Sequence, residues 1–376
     1  MQKKTLVPSD RDRFSYNHFN TMRLAMALLV VWSHSFALYL GTEDHEPISL
    51  LLNGKYNAGN IGVRVFFAIS GLLIVSSFER TRSILTYFGK RILRIYPGYL
   101  VAVAFCAFIV VPVFSSNGGN VLTPSIAIEW VWQNLLLRNF IPASDAFSQN
   151  PSNAVNGALW SIAYEFWCYI GVAVLGAVGI LRRPWTIILL LISIMLIKAG
   201  LDVTGRKPGL GILGEIIGWP YLWTSMAPSF LIGVVALKFG HLIPRSRWIL
   251  AALIFSTVVI AHITEDRVAF DLLFIPTLGY SVFYAAFSDA IIPDAAAFGD
   301  FSFGTYLYGF PIQQMIKSAF PITFSAYIAL CLVLSLIAGV VSWFAVERRF
   351  VQTVTFKRTA KDTKLGAAHD AGPSNH

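Results

Sequence analysis

Arg23-Leu-Ala-Met-Ala-Leu-Leu-Val-Val-Trp-Ser-His34 is an apolar run with an arginine at its start and a histidine eleven residues later. An α-helix turns about 100° per residue, so these two side chains project from almost one face, ~16 Å apart along the axis. A run of this length spans a bilayer once flanking residues are added. The arginine then sits at one surface and the imidazole inside the membrane. An ionisable group at that depth is costly and marks a candidate working site.

The rest of the chain agrees with a membrane reading. Of its 376 residues 56% are hydrophobic and 13% charged, and the mean hydropathy is +0.63. Soluble domains carry roughly 25% charged residues. The expected fold is therefore all-α: a polytopic bundle of about ten spans at 21–40, 58–78, 92–114, 157–181, 185–201, 219–239, 248–264, 269–288, 300–318 and 322–346. The first run is of full span length with no small-residue cleavage site after it, so no removable signal peptide is expected. The net charge of +9 comes from basic residues flanking the apolar runs, not from one patch, which argues against nucleic acid as a partner. Cys106, Cys168 and Cys331 all lie in apolar segments without metal or disulfide spacing and read as small core residues.

Charge sets the orientation. With the N-terminus in the cytoplasm and spans alternating, 20 of the 29 lysines and arginines fall on the cytoplasmic side. Seven fall opposite, and Arg23 and Arg64 lie within spans. An even number of spans with both ends cytoplasmic follows: a tail over 1–19, a membrane domain over 20–350 and a disordered tail over 351–376. The loop 289–300 dissents, with Asp289, Asp294 and Asp300 and no basic residue. Loop 41–57, carrying Glu43, Asp44, His45 and Glu46, and segment 115–156 face outward. The second includes an amphipathic stretch over 126–137 with Trp130 and Trp132, suited to a membrane interface.

Several side chains within the spans can do chemistry. His34 lies ~9 Å below the outer end of its span and Glu165 ~12 Å below the same surface. A His–Glu pair there would tune a general base or fix its tautomer; a structural pair setting helix register is the bland alternative. Ser161, Glu165 and Tyr169 follow i, i+4, i+8 spacing and share a stripe. Arg64 is open to three roles: snorkelling to headgroups, binding an acceptor, or a structural charge partner. Ser70-Gly71 permits close helix packing or a narrow passage for a thin ligand. Arg91 and Arg94 share a face at the cytoplasmic surface, as membrane anchors or as a phosphate clamp with Arg23. Glu347 ends the last span there and is placed to hold one of these arginines.

Taken together, Arg23-x10-His34, Gly62-Val-x-x-Phe66-Phe-x-x-Ser70-Gly71, Arg91-x-x-Arg94 with Tyr96-Pro97, Trp160-Ser161-x-x-x-Glu165, Ser302-Phe-Gly-Thr-Tyr306-Leu-Tyr-Gly-Phe-Pro311 and Glu347-Arg-Arg-Phe350 resemble acyltransferase family 3 over about residues 16–350. The resemblance implies an integral membrane O-acyltransferase of extracytoplasmic glycans in the bacterial inner membrane. It implies no resident cofactor or metal, with acetyl-CoA as the donor substrate and membrane lipid as surroundings. It carries the family's essential Arg and His onto Arg23 and His34, its Arg-x-x-Arg onto Arg91 and Arg94, and its Trp-Ser…Glu onto Trp160, Ser161 and Glu165. The expected roles are catalysis by His34 and Glu165 and donor binding by Arg23, Arg91 and Arg94. Arg64, Trp160, Ser161, Tyr169, Ser70 and Glu347 are expected at the acceptor or in structural support. Three departures stand out: Gly309 where many members have histidine, Arg349 where many have proline, and Arg64 where an acidic residue is common. His34 would remove the acceptor proton, or would take the acetyl group itself. A proton-relaying transporter using His34 and Glu165, and a scaffold in glycan export, are the readings from other classes.

Overall fold

Each of the ten expected spans is a long helix in the computed structural model, which describes residues 4–9, 14, 17–81, 83–116, 123–209, 211, 214, 217–290 and 293–351. In chain order these are α1 (Phe19–Leu40), the short α2 (Pro47–Leu51), α3 (Ala58–Glu79), α4 (Ile84–Phe114), α5 (Pro124–Leu135), α6 (Trp160–Ala177) and α7 (Pro184–Val203). They continue with α8 (Pro220–Phe239), α9 (Arg247–Ile263), α10 (Arg267–Ala286), α11 (Ser302–Ala319) and α12 (Phe324–Val351). Among the described residues eight are long and apolar enough to cross a membrane; α9, at 17 residues, is slightly shorter, and α11 is more polar. The polar residues of α11 are used inside the bundle. Gln313 donates to the Val31 carbonyl at 2.7 Å and to Ser35 Oγ at 2.8 Å, and Gln314 donates to the carbonyls of Ser152 and Ala154. The expected α5 is present, whereas α2 was not foreseen; it is capped by Glu46, whose Oε2 accepts from the Ser49 N–H.

α3 is the hub. It packs on α8, α1 and α6, while α11 packs on α1 and α12. The α3–α8 contact is backbone on backbone. A Cβ at Gly71 would strike the Phe230 carbonyl, and one at Gly233 would strike that of Ala68. Association of apolar helices in lipid depends on such close approach, since no hydrophobic driving force separates them from the solvent. The Ser70-Gly71 pair therefore serves packing through its glycine.

The acidic loop no longer dissents. Asp289 pairs with Lys4 at 2.6 Å and Arg245 at 3.5 Å, and Asp300 pairs with Arg94 and Arg23. These acids sit among basic residues at one end of the bundle, as alternation of ten helices requires. Within the expected N-terminal tail, Leu6 and Val7 are buried and their N–H groups donate to the Ile243 and Gly240 carbonyls. The expected tail beyond 351 lies outside the described residues.

Candidate active site

Helices α1, α3, α6 and α11 enclose two small cavities that meet end to end. The first, about 30 Å³, is lined by Arg23, Phe66, Ser161, Glu165, Ser302 and Phe303 among others. The second, about 80 Å³, is lined by His34, Glu43, Asn57, Asn60, Trp160 and Met226 among others. Val63 and Tyr306 line both. Tyr306 is thus part of the wall between them, with its ring edge-on to Phe66 at 5.9 Å. Its hydroxyl donates to the Ala158 carbonyl at 2.6 Å and lies 2.7 Å from Ser161 Oγ.

Arg23 and His34 therefore open from one side of α1 into successive compartments, as their spacing predicts. Two contacts fix the helix's rotation and the ring's tilt. Gln313 ties α1 to α11 through Val31 and Ser35. The His34 ring stands edge-on to Phe310 at 5.5 Å, and the Phe310 ring lies against Gly157, where a Cβ would collide with it. Among the described residues no hydrogen bond or ion pair reaches the imidazole, which leaves its nitrogens open to the cavity.

The expected His34–Glu165 pair is not formed. Glu165 Oε1 accepts from Ser70 Oγ at 2.7 Å and from the Tyr169 hydroxyl at 2.6 Å, one compartment away. The reason lies in where α6 begins. Trp160 faces the His34 cavity and Ser161 the Arg23 cavity, so Glu165, a turn further along, is already beyond Tyr306. The Ser161–Glu165–Tyr169 stripe holds, with two of its members joined directly.

At the basic end, Arg94 is held by two carboxylates: Asp300 Oδ2 at 2.5 Å and Glu347 Oε2 at 3.3 Å. Arg23 reaches the same Asp300 oxygen at 3.6 Å. Burial would raise the Asp300 pKa, but Arg94, Arg23 and the Ser302 hydroxyl hold it down to about 2. Glu347 sits in a π-helical turn, Trp343–Glu347, which turns its side chain inward to Arg94 and Ser342. Arg94, expected in a phosphate clamp, is already neutralised within the protein. Arg91 is differently placed: it donates to Ser77 Oγ at 3.0 Å, lies near the rings of Tyr87 and Tyr169, and its Nε has no partner among the described residues.

Arg64 does not snorkel, and it lines neither cavity. It is 2% exposed, donates to the Ser225 carbonyl, Ser229 Oγ and the Tyr56 hydroxyl, and lies over the Tyr56 ring at 4.2 Å. Tyr56 donates to Asp271, which pairs with Lys198, which pairs with Asp202. Arg64 and Lys198 are thus balanced by Asp271 and Asp202 in a buried network that joins α3, α7, α8 and α10. Of its three expected roles, these contacts fit that of a structural charge partner.

Sequence reasoning missed Asp300, Asn57 and Asn60, gave Tyr306 no role beyond its motif, and passed over Glu43 as loop. Asp300 carried a signal, being an acid in a loop expected to be basic. Glu43 carried none, because a loop carboxylate becomes a cavity wall only after α1 and α3 are packed.

Residues 16–344 match the model of a family described as an acyltransferase domain. The chain belongs to acyltransferase family 3. This acyltransferase is 25% identical over 339 residues to an O-acetyl transferase of Shigella phage Sf6, covering 89% of this chain and 96% of the relative. It is also 30% identical over 172 residues to nodulation protein 10 of Rhizobium leguminosarum bv. viciae, covering 41% of this chain and 42% of the relative. No solved structure matches significantly. Family membership makes the chain an enzyme, and the transporter and scaffold readings fall. Where many members carry histidine, Gly309 of this acyltransferase faces Val31, and a Cβ there would already press on the valine side chain. No imidazole fits at that point of this α1–α11 contact without displacing it.

Proposed function

We propose that this acyltransferase takes acetyl from acetyl-CoA at its basic end and transfers it to a glycan hydroxyl at its Glu43 end. The basic end faces the cytoplasm by the distribution of lysine and arginine, in the inner membrane of a bacterium. One observation carries the proposal: Arg23 and His34 occupy two compartments divided only where Val63 and Tyr306 line both. The ~16 Å rise between the two residues matches the reach of a thin pantetheine arm. The nucleotide phosphates stay at the basic end near Arg23 and Arg91. The arm threads the first compartment and presents its thioester beside His34.

The chemistry follows. An imidazole nitrogen of His34 takes the proton of the acceptor hydroxyl as its oxygen attacks the thioester carbonyl. The new C–O bond forms, the C–S bond breaks, and the proton passes to the departing thiolate. Water is scarce between buried helices, which limits loss of the thioester to hydrolysis. Glu165 acts indirectly, orienting Ser70 and Tyr169 along the donor's path. The relative named as an O-acetyl transferase supports acetyl as the group and oxygen as the acceptor atom. The test is the O-acetyl content of the host's surface glycans, read by NMR, with native protein and with His34→Ala. Acetyl signals should vanish in the variant at equal protein level; their persistence would refute the proposal.

A further inference from the structure

The His34 compartment has a distinctive inventory of unused polar atoms. Glu43 Oε2 accepts from Asn57 Nδ2 at 2.6 Å. Asn57 Oδ1 is taken in turn by the Asn60 backbone N–H at 2.7 Å and by Asn60 Nδ2 at 3.0 Å. These contacts fix both amides, with one N–H of Asn57 given to Glu43 and one of Asn60 given to Asn57. Among the described residues, Glu43 Oε1, Asn60 Oδ1 and the His34 ring, with one N–H and one bare nitrogen, remain without partners, and Glu43 is the one charged side chain of the lining. Glu43 and Asn60 are exposed, so they stand where the cavity opens. No lysine or arginine lines the cavity. Arg64, one turn from Asn60, turns both terminal nitrogens to Ser225, Ser229 and Tyr56 and is balanced within the Asp271–Lys198–Asp202 network.

A polar cavity whose one charge is a carboxylate takes a neutral or cationic ligand. Sugar hydroxyls and ammonium groups satisfy it, while a ligand carboxylate or phosphate would meet Glu43 unpaired, which is how like charge rejects a wrong partner. Trp160 adds an aromatic wall, a residue type that packs against the C–H side of a pyranose. We infer that the sugar unit acetylated by this chain is neutral or amino-bearing, never one carrying an anionic group, and that Glu43 is the residue that enforces this choice. The inference rests on the proposed entry of the acceptor at the Glu43 end. Asn57 is a positioning residue, holding the carboxylate toward the cavity.

The test uses the full chain in membrane vesicles, acetyl-CoA, and glycan extracted from a host strain lacking the enzyme. NMR of the product identifies the O-acetylated unit, which should be a neutral or amino sugar. An O-acetylated uronate, sialate or phosphorylated sugar would overturn the inference. Glu43→Gln keeps the size of the side chain and removes its charge. Its acceptor KM should rise about tenfold, as loss of charge-assisted hydrogen bonds predicts, with the acetyl-CoA KM unchanged; an unchanged acceptor KM would overturn Glu43's role. No transfer at all by the native chain would instead sink the acetyl-transfer reading on which this one rests.

Discussion

Arg94 Nη2 lies 2.5 Å from Asp300 Oδ2, and that same oxygen is 3.6 Å from Arg23. One carboxylate from the loop before α11 thus pins the start of α1 to the first half of α4. Held down to about 2, Asp300 stays ionised over the whole working range of pH. A depressed carboxylate contributes stability that is present above its unfolded value and is lost as pH falls through the folded one. The shift from 3.8 to about 2 corresponds to about 2 kcal/mol. Asp300→Asn should lower thermal stability in detergent by that order at pH 7. The gap from native protein should start to close only below about pH 4. Melting curves at several pH values check this.

Arg64→Ala should destabilise by about 3–5 kcal/mol, because it leaves the Asp271 side of a buried ionic network uncompensated. Where the variant still folds, its acceptor KM should equal that of native protein, since Arg64 lines neither cavity. Thermal melting and acceptor titration together separate this from an acceptor-binding role.

Gly71→Leu should prevent the α3–α8 contact, since even a Cβ meets the Phe230 carbonyl. The expected result is loss of monodisperse protein on size exclusion. Gly54→Ala, at a surface turn where a Cβ meets nothing but the backbone is left-handed (φ +71°), should cost far less, about 1 kcal/mol.

Tyr306 stands where the compartments join, so its bulk and its two hydroxyl contacts should be separable. Tyr306→Phe removes the bonds to Ala158 and Ser161, each worth about 1 kcal/mol, and should loosen the divide, raising acetyl-CoA hydrolysis without acceptor. Tyr306→Trp should block the passage, abolishing transfer while nucleotide binding at the basic end persists. Assays of free CoA release and of labelled CoA binding read the two effects.

The helices were legible because apolar runs, basic flanks and positive-inside counting are local properties of the chain. So was the shared face of Arg23 and His34, which depends on one helix only. The His34–Glu165 pairing was not legible. Equal depth on two helices does not place side chains in one compartment when Tyr306, from a third helix, comes between. Arg64 was left with three readings for a related reason: its partners Tyr56, Ser225 and Ser229 lie 8, 161 and 165 residues away, and nothing in its own segment announces them. That Glu347 holds an arginine was legible from its place at the end of the last span; that Asp300 holds Arg94 as well was not.

The central claim is that an acyl group crosses from the Arg23 compartment to an acceptor beside His34. Sealed vesicles of one orientation test it directly, with radiolabelled acetyl-CoA only on the basic side and extracted glycan only on the Glu43 side. Labelled glycan should accumulate with native protein and not with His34→Ala. Label reaching glycan at the native rate with His34→Ala, or only when donor and acceptor share one side, would contradict the account.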